Sequence, residues 1–396
     1  MLITVYVSEQ APKSKKSTES PFIFKSIRLG WTTPFPLATR IFHPINHSEI
    51  MKNYRHSYVG TFGLAMLLLS AGLHAQTPGY HLVKKTVIGG EGGWDYLSVD
   101  HENGRIFLSH GNQVEVLDLK THKSLGVIKP TNGVHGIVAV AKINRGLTTN
   151  GRTNTATIFD LKTLAPIVEL PTGKNPDALL YDPYSDRVFV FNHSGASATA
   201  IDIANGKVLG TVELGGDGVE AGVSDGKGTI FVNLEDTHEI VSFDAKTLAV
   251  KNRWSVAPGE EPTGLAIDPV THRLFSVCHN ELMIIVDANT GKLVAKVPIG
   301  KRVDGVVFDA TSKFAVSSNG EGTMTVVKEV SSTEFSVVET VATAPGARTL
   351  TIDPVTHHIF LSSAQYGDTP AATAENPNPR PSIVPGTFML LEYSKE

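Results

Sequence analysis

Short runs of apolar residues alternate with clusters of turn residues throughout positions 76–396. The runs are rich in Val, Ile, Phe and Thr, and Gly, Pro, Asn and Asp separate them. This pattern is typical of β-strands joined by tight turns. No stretch of this region shows the spacing of apolar residues that an amphipathic helix requires. The pattern therefore predicts an all-β chain.

Two landmarks recur along the chain at one interval. The first is a strand that ends in an acidic turn, and five of its aspartates are spaced 43, 43, 41 and 44 residues apart: Asp182, Asp225, Asp268, Asp309 and Asp353. The second is a strand followed by a turn of the type DxKT or DANT, with aspartates 42, 42, 42 and 43 residues apart: Asp118, Asp160, Asp202, Asp244 and Asp287. Two independent landmarks with one period indicate a repeat of about 42 residues. We expect the second set of aspartates to bind backbone amides of their turns.

Each repeat divides into four short strands, which is the content of one propeller blade. First strands begin near residues 94, 134, 176, 219, 262, 303 and 347, so the prediction is a seven-bladed β-propeller of four-stranded antiparallel blades. The segment 80–88 resembles the fourth strand of a blade, and we expect it to pair with the C-terminal blade and close the ring. The Pro-rich segment 366–387 is predicted to be a long loop within blade seven, because an apolar strand resumes at 388–393.

The repeats resemble the YVTN family of exported bacterial β-propellers. The segments that carry the likeness are LTTN at 147–150, FVFN at 189–192, AIDIANGKVLGTVELGG at 200–216 and LAIDPVTHRLFSV at 265–277. The likeness extends over most of residues 80–396. It implies the propeller fold strongly and the function weakly, since similar propellers include binding proteins, surface-layer components and ligand scaffolds, and some related seven-bladed proteins are lactonases or lyases.

The N-terminal region contains a pattern typical of an exported protein. Residues 51–75 combine a basic start, an apolar run at 59–71 and a small-residue cleavage pattern before Gln76, which predicts a signal peptide. Residues 1–50 hold no repeat, and we interpret them as an overextended reading frame or a disordered extension. The propeller domain is then 76–396. A periplasmic or secreted location is expected, with no transmembrane anchor after cleavage.

Charge and cysteine content exclude some functions. The chain carries a net charge of −4. Residues 1–75 hold eight Lys or Arg and three Asp or Glu, which leaves about −9 on the remainder. An acidic body argues against general nucleic-acid binding. The one cysteine, Cys278, excludes an internal disulfide framework and a cysteine-based zinc site.

Polar side chains occupy positions of the repeat that should meet at one end of the central channel. The second residues of the first-strand motifs are Asp95, His135, Asp177, Glu220, Thr263, Asp304 and Arg348. The ends of the second strands carry His110, Asn150, Asn192 with His193, Glu235, His279 and Asn319. First and second strands are antiparallel, so both sets should lie on the same face. We expect them to line the channel mouth.

Three interpretations of this set remain open. The first is a solvated channel lined by ordinary polar residues. The second is a site for a divalent cation at Asp95, Asp177, Glu220 and Asp304, where oxygen ligands suit Ca²⁺ or Mg²⁺ and nearby imidazoles of His110, His135 and His279 suit a transition metal. The third is an enzyme with His135 or His110 as general base and Arg348 stabilising an anion.

The sequence thus favours an exported binding or scaffold module. Its ligand would be a small molecule, a metal ion or a protein at one face of the channel, and the chain is expected to be a monomer. The alternative is a metal-assisted lactone hydrolase or lyase that uses the same face.

Overall fold

A computed structural model describes residues 79–373 and 379–395 of the chain. The interpretations of residues 1–50 and 51–75 concern segments outside this range. In the described residues, the strands form seven four-stranded antiparallel sheets. The innermost strand of each sheet lies beside that of the next sheet, and the seventh lies beside the first. The predicted seven-bladed β-propeller is therefore confirmed. No helix within the described ranges is long and apolar enough to cross a membrane.

The strands follow the chain from the inside of each blade to its outside. The first strand of the chain is β1 (His81–Val87). Blade one contains β2 (Leu97–Asp100), β3 (Arg105–His110), β4 (Gln113–Asp118) and β5 (Ser124–Ile128). Blade two contains β6 (Val134–Val140), β7 (Arg145–Asn150), β8 (Thr155–Asp160) and β9 (Pro166–Pro171). Blade three contains β10 (Pro176–Asp182), β11 (Arg187–Asn192), β12 (Ser197–Asp202) and β13 (Lys207–Glu213).

The remaining blades repeat this order. Blade four contains β14 (Val219–Ser224), β15 (Thr229–Leu234), β16 (Glu239–Asp244) and β17 (Val250–Ser255). Blade five contains β18 (Pro262–Asp268), β19 (Arg273–Cys278), β20 (Leu282–Asp287) and β21 (Leu293–Pro298). Blade six contains β22 (Val303–Asp309), β23 (Phe314–Asn319), β24 (Thr323–Ser331) and β25 (Glu334–Ala342). Blade seven contains β26 (Leu350–Ile352), β27 (Ile359–Ser363) and β28 (Met389–Ser394). Two single-turn 3-10 helices lie at Ala141–Ile143 and His193–Gly195.

Ring closure takes the form that the sequence predicts. Strand β1 pairs antiparallel with β28 and so becomes the outermost strand of blade seven. The predicted long loop lies between β27 and β28, and its described residues are 364–373 and 379–388. The first strands of blades one and seven begin three residues later than expected, at Leu97 and Leu350. In blade one, a side-chain hydroxyl replaces part of the ladder, since Ser109 Oγ accepts the Asp95 amide at 2.8 Å.

Apolar side chains from neighbouring blades form the core. Phe107 of blade one packs against Phe159 of blade two, with ring centroids 6.0 Å apart. Phe189 packs against Phe243 of blade four in an edge-to-face arrangement at 5.3 Å. The outermost strands are largely exposed, as in β5 and β17. Burial between blades therefore holds adjacent sheets together and keeps the inner strands in register at the axis.

The recurring aspartates after the third strands bind their own turns. Asp244 Oδ1 accepts backbone amides of Lys246 at 3.0 Å and Thr247 at 2.9 Å. Asp160 makes the same pair of bonds, both at 2.9 Å. The predicted structural role of these residues is confirmed. In blade six, where Lys328 replaces the aspartate, β24 and β25 each extend to nine residues and the hairpin turns further along, after Ser331.

Candidate functional site

An irregularity near the start of most innermost strands shapes the axial face. The pairing register of β6 shifts between Val134 and Ile137, and those of β10, β14, β18 and β22 shift at the equivalent place. Such bulges re-aim side chains at the rims of closed sheets. The third residues of these strands line the inner part of the channel, together with Asp304, and the second residue of β6, His135, lies at its mouth.

Side chains at the second position of the first-strand motifs lie close together around the channel axis. His135 Nδ1 lies 2.7 Å from Asp95 Oδ2 and 3.3 Å from Asp177 Oδ1. Arg348 forms an ion pair with Asp304, and its Nη2 lies 3.3 Å from Asp95 Oδ1. These five side chains come from blades six, seven, one, two and three, so the contacts form one continuous chain around the axis.

Blades three and four extend this chain. His193 follows β11, and its Nδ1 lies 2.9 Å from Glu220 Oε1. Asp177, His193 and Glu220 each offer a ligand atom within 4.8 Å of the others, and Asp95, His135 and Asp177 do the same. We name the following seven side chains the axial cluster: Asp95, His135, Asp177, His193, Glu220, Asp304 and Arg348. Thr263, the equivalent residue of blade five, is buried and carries no charge.

Burial sets the ionisation of the carboxyl groups. Burial raises the pKa of Glu220 to about 8, and its side chain is only 9% exposed. Burial, reinforced by the charge of Asp95, raises the pKa of Asp177 to about 6. Burial acts in the same direction on Asp95, but the charge of Arg348 and the bond to His135 outweigh it, so the pKa of Asp95 is lowered. Negative charge is therefore well compensated at Asp95 and poorly compensated at Asp177 and Glu220.

The two histidines of the axial cluster are held near carboxylates. Burial would lower the pKa of His135, but the hydrogen bond to Asp95 and the charge of Asp177 raise it to about 9. The hydrogen bond to Glu220 raises the pKa of His193 to about 9. Even with both imidazoles protonated, the four carboxylates of the cluster face three cationic groups. The cluster has an affinity for one further positive charge, which a proton or a cation can supply.

Threonine hydroxyl groups fix the backbone of the cluster. Thr149 Oγ1 accepts the Gly136 amide at 2.8 Å and donates to the Asp177 carbonyl at 2.6 Å. Thr349 Oγ1 donates to the Asp95 carbonyl at 2.6 Å. The bonds to the carbonyls of Asp177 and Asp95 each join one blade to the next at a residue of the cluster. The cluster is thus positioned by the rigid inter-blade contacts rather than by mobile loops.

A single tyrosine closes the channel beneath the cluster. The third residues of the other six first-strand motifs are all small: Gly136, Ala178, Ala221, Gly264, Gly305 and Thr349. Tyr96 takes this place in blade one, and its side chain packs across the axis against the core of blades three and four. Only about 30 Å³ of free space is left there, roughly the room for one water. Burial and the charges of Asp177 and Glu220 raise the pKa of the Tyr96 phenol well above its ordinary value. The cluster is therefore open to one face only.

Residues at the ends of the second strands divide into two groups. Asn150 and Asn192 are fully buried inside their blades, where Asn150 Nδ2 donates to Thr157 Oγ1 at 2.8 Å and Asn192 Nδ2 donates to Thr199 Oγ1 at 3.0 Å. They do not join the axial cluster. His110 is also buried, with Nδ1 3.1 Å from Glu115 Oε1.

In three blades, the residue directly after the second strand reaches the channel mouth instead of the last residue of that strand. Because side chains alternate along a strand, a shift of one residue changes the direction of every side chain. His193 and Glu235 occupy this later position, as does His279, whose Nδ1 lies 3.2 Å from Glu261 Oε2 and 3.5 Å from Glu235 Oε1. Glu235, Glu261 and His279 form a separate and more exposed group. Sequence reasoning overlooked Tyr96 and Glu261; the first is detectable as the one large residue among small ones at its repeat position.

Comparisons with known proteins agree with this architecture. The sequence matches no protein-family model and no curated protein sequence. A chain from the crystal structure of the mitotic checkpoint complex is similar with a TM-score of 0.64 and 12% identity, over 85% of this chain and 98% of that one. Hydrazine synthase from Kuenenia stuttgartiensis is similar with a TM-score of 0.59 and 14% identity, over 74% of this chain and 96% of that one. Similarity at such low identity concerns the fold alone, so the comparisons support the seven-bladed β-propeller and leave the YVTN resemblance a prediction.

Proposed function

We propose that the protein is a binding propeller that holds a divalent cation with Asp177, His193 and Glu220. The observation that carries this proposal is the charge of the axial cluster, in which four carboxylates gather around one arginine and two histidines. Arg348 and His135 compensate the charge of Asp95, whose pKa is lowered, whereas the pKa values of Asp177, Glu220 and Asp304 are all raised by burial. Asp304 pairs with Arg348, so the poorly compensated carboxylates that lie together with an imidazole are Asp177 and Glu220, beside His193.

The donor set indicates which ions would bind. An imidazole with two carboxylates suits transition ions such as Zn²⁺ or Mn²⁺ better than Ca²⁺, which prefers six or more oxygen ligands. Three protein ligands leave coordination positions open toward the face of the propeller, because Tyr96 closes the opposite side. A small molecule or a protein partner would complete the coordination from that face. We expect the protein to act as a monomer in the periplasm or outside the cell, as the pattern at 51–75 suggests.

Titration of metal-stripped protein with Zn²⁺, Mn²⁺ and Ca²⁺ tests the proposal. We expect one Zn²⁺ or Mn²⁺ per chain, measured by calorimetry and by metal analysis after dialysis. Affinity for Zn²⁺ should exceed that for Ca²⁺ by at least about tenfold, because an imidazole ligand discriminates against Ca²⁺. Failure of all three ions to bind at micromolar concentration would refute the proposal.

A second candidate function, metal-assisted lactone hydrolysis or elimination, is supported by one observation. His135 is not a proposed ligand but lies beside one, with its Nδ1 2.7 Å from Asp95 Oδ2 and 3.3 Å from Asp177 Oδ1, a placement that suits a group that exchanges a proton next to the ion. Metal-loaded protein should then turn over at least one compound in a panel of lactones, and His135→Gln should reduce the rate by about 100-fold or more. If metal-loaded protein turns over no compound in the panel, the enzymatic function is refuted and only the binding function remains.

A further inference from the structure

A pocket of about 330 Å³ lies next to the axial cluster on the same face. Its size is at the lower end of the range for small-molecule sites. The lining side chains belong to blades one, two and seven and to the start of blade three: Trp94, Asp95, Val134, His135, Arg152, Asn175 and Arg348. Because His135 also contacts Asp177 at 3.3 Å, the pocket adjoins the proposed cation ligands directly.

Two glycines let the pocket's polar side chains lie flat against its wall. A Cβ atom on Gly151 would lie 2.8 Å from His135 Nε2. Gly133 has a φ of +67°, and a Cβ atom there would lie 2.6 Å from Arg152 Cγ. Any larger residue would displace the imidazole or the arginine stem from the wall. The backbone is therefore adapted to the placement of these two groups.

Several donors around the pocket lack strong acceptors among residues 79–373 and 379–395. Arg152 makes one long hydrogen bond, at 3.5 Å to Asn112 Oδ1, and forms no ion pair with a described residue. Trp94 is 8% exposed, and its Nε1 has no hydrogen-bond partner in the described part of the chain. The carboxylate of Asp95, by contrast, is already engaged by His135 and Arg348. The pocket thus offers the exposed guanidinium of Arg152, which has no counter-ion among the described residues, and no unused carboxylate.

We propose that this pocket binds a small organic carboxylate, with the Arg152 guanidinium as its main contact. A guanidinium matches a carboxylate in a two-point arrangement. The apolar surfaces of Trp94 and Val134 favour an organic carbon skeleton over a bare inorganic anion. This inference builds on the proposed function, since a carboxylate held here would have its far end next to the cation bound by Asp177.

Calorimetric titration with succinate, citrate and inorganic phosphate tests the pocket, with protein that is metal-free and protein loaded with Zn²⁺. We expect at least one of the two carboxylates to bind and Arg152→Gln to weaken its binding at least tenfold. The matched control is Lys174→Gln, an exposed cation of the same face that does not line the pocket, and it should change the affinity less than twofold.

The failures of the two proposals are distinguishable. Zn²⁺ affinity of Arg152→Gln should equal that of the unmodified protein, because Arg152 is not a proposed ligand of the ion. Loss of carboxylate binding with intact Zn²⁺ binding thus supports the pocket. Equal carboxylate affinity in Arg152→Gln and the unmodified protein overturns the pocket proposal, as does binding of phosphate alone. Carboxylate binding to metal-free protein that needs Arg152, together with no Zn²⁺ binding, refutes only the cation site.

Discussion

Replacing Asp177 and Glu220 together with alanine is expected to abolish the binding of Zn²⁺ or Mn²⁺. The change removes both carboxylate ligands and leaves His193 alone. Loss of groups that merely support metal ligands costs about 10–100-fold in affinity. Loss of two direct ligands should therefore weaken binding by more than about 100-fold. Calorimetry on the metal-stripped double variant measures the effect directly.

The second carboxylate group on the same face provides a matched control. Glu235→Ala combined with Glu261→Ala removes the same charge near His279, at a cluster of similar composition. This control should retain the affinity of the unmodified protein within about threefold, since exposed charges act weakly at a distance. If the control loses binding and the Asp177/Glu220 variant keeps it, the cation site has been assigned to the wrong cluster.

The same double variant should fold as well as the unmodified protein. Asp177 and Glu220 pair with His135 and His193, but the pKa of each carboxyl is raised, so the cost of burying its charge exceeds what the ion pair returns. Buried carboxyl groups with raised pKa values are typical of binding sites, where function and not stability retains them. An unchanged unfolding midpoint would show that any loss of metal binding reflects lost ligands and not a damaged propeller.

The architecture was accessible from sequence because every repeat carries the same local signals. Asp160 and Asp244 each bind the amides of their turns, which makes the period visible without any knowledge of tertiary contacts. The closing role of β1 followed from counting strands, since blade seven lacks a fourth strand of its own. The turn signals within each repeat and the number of strands needed to close the ring thus predict the same fold.

The site was only partly accessible for reasons of strand geometry. Convergence of the second-position residues follows from ring symmetry, and their contacts agree with it. Predicting which residues at the strand ends face the axis requires the register of each hairpin. A one-residue error there separates Asn192, which is buried in its blade, from His193, which contacts Glu220. Pocket residues such as Arg152 lie in turns, where the repeat pattern carries no information about direction.

A half-buried cluster of charged residues joins the closing strand to blades one and seven, and we expect its removal to destabilise the ring. Glu392 of β28 lies 2.7 Å from His358 Nδ1 and 3.3 Å from His122 Nε2. His122 belongs to the last turn of blade one, and its Nδ1 lies 2.9 Å from Thr86 Oγ1 of β1. The cluster therefore connects blade one, blade seven and the closing strand at one point.

Glu392→Gln should lower the free energy of unfolding by about 2–3 kcal/mol, as expected for hydrogen bonds to a charged group. Urea unfolding at pH 7 measures this difference. The control is Glu334→Gln, an exposed residue of the blade six hairpin, which should change stability by less than about 0.5 kcal/mol. Equal stability of Glu392→Gln and the unmodified protein would show that the apolar contacts of blade seven hold the ring closed without this cluster.

The pH dependence of this difference separates the charge of Glu392 from its packing. Burial would raise the pKa of Glu392, but the bonds to His122 and His358 outweigh it and lower the pKa below its ordinary value of 4.5. A carboxyl whose pKa is lower in the folded state stabilises the fold above its unfolded pKa and loses that contribution as pH falls through the folded pKa. The stability difference from Glu392→Gln should therefore be full at pH 6–7 and shrink steadily below about pH 4.5, because a protonated glutamate closely resembles glutamine. A difference that stays constant down to pH 3 would mean that Glu392 stabilises ring closure through its shape and not through its charge.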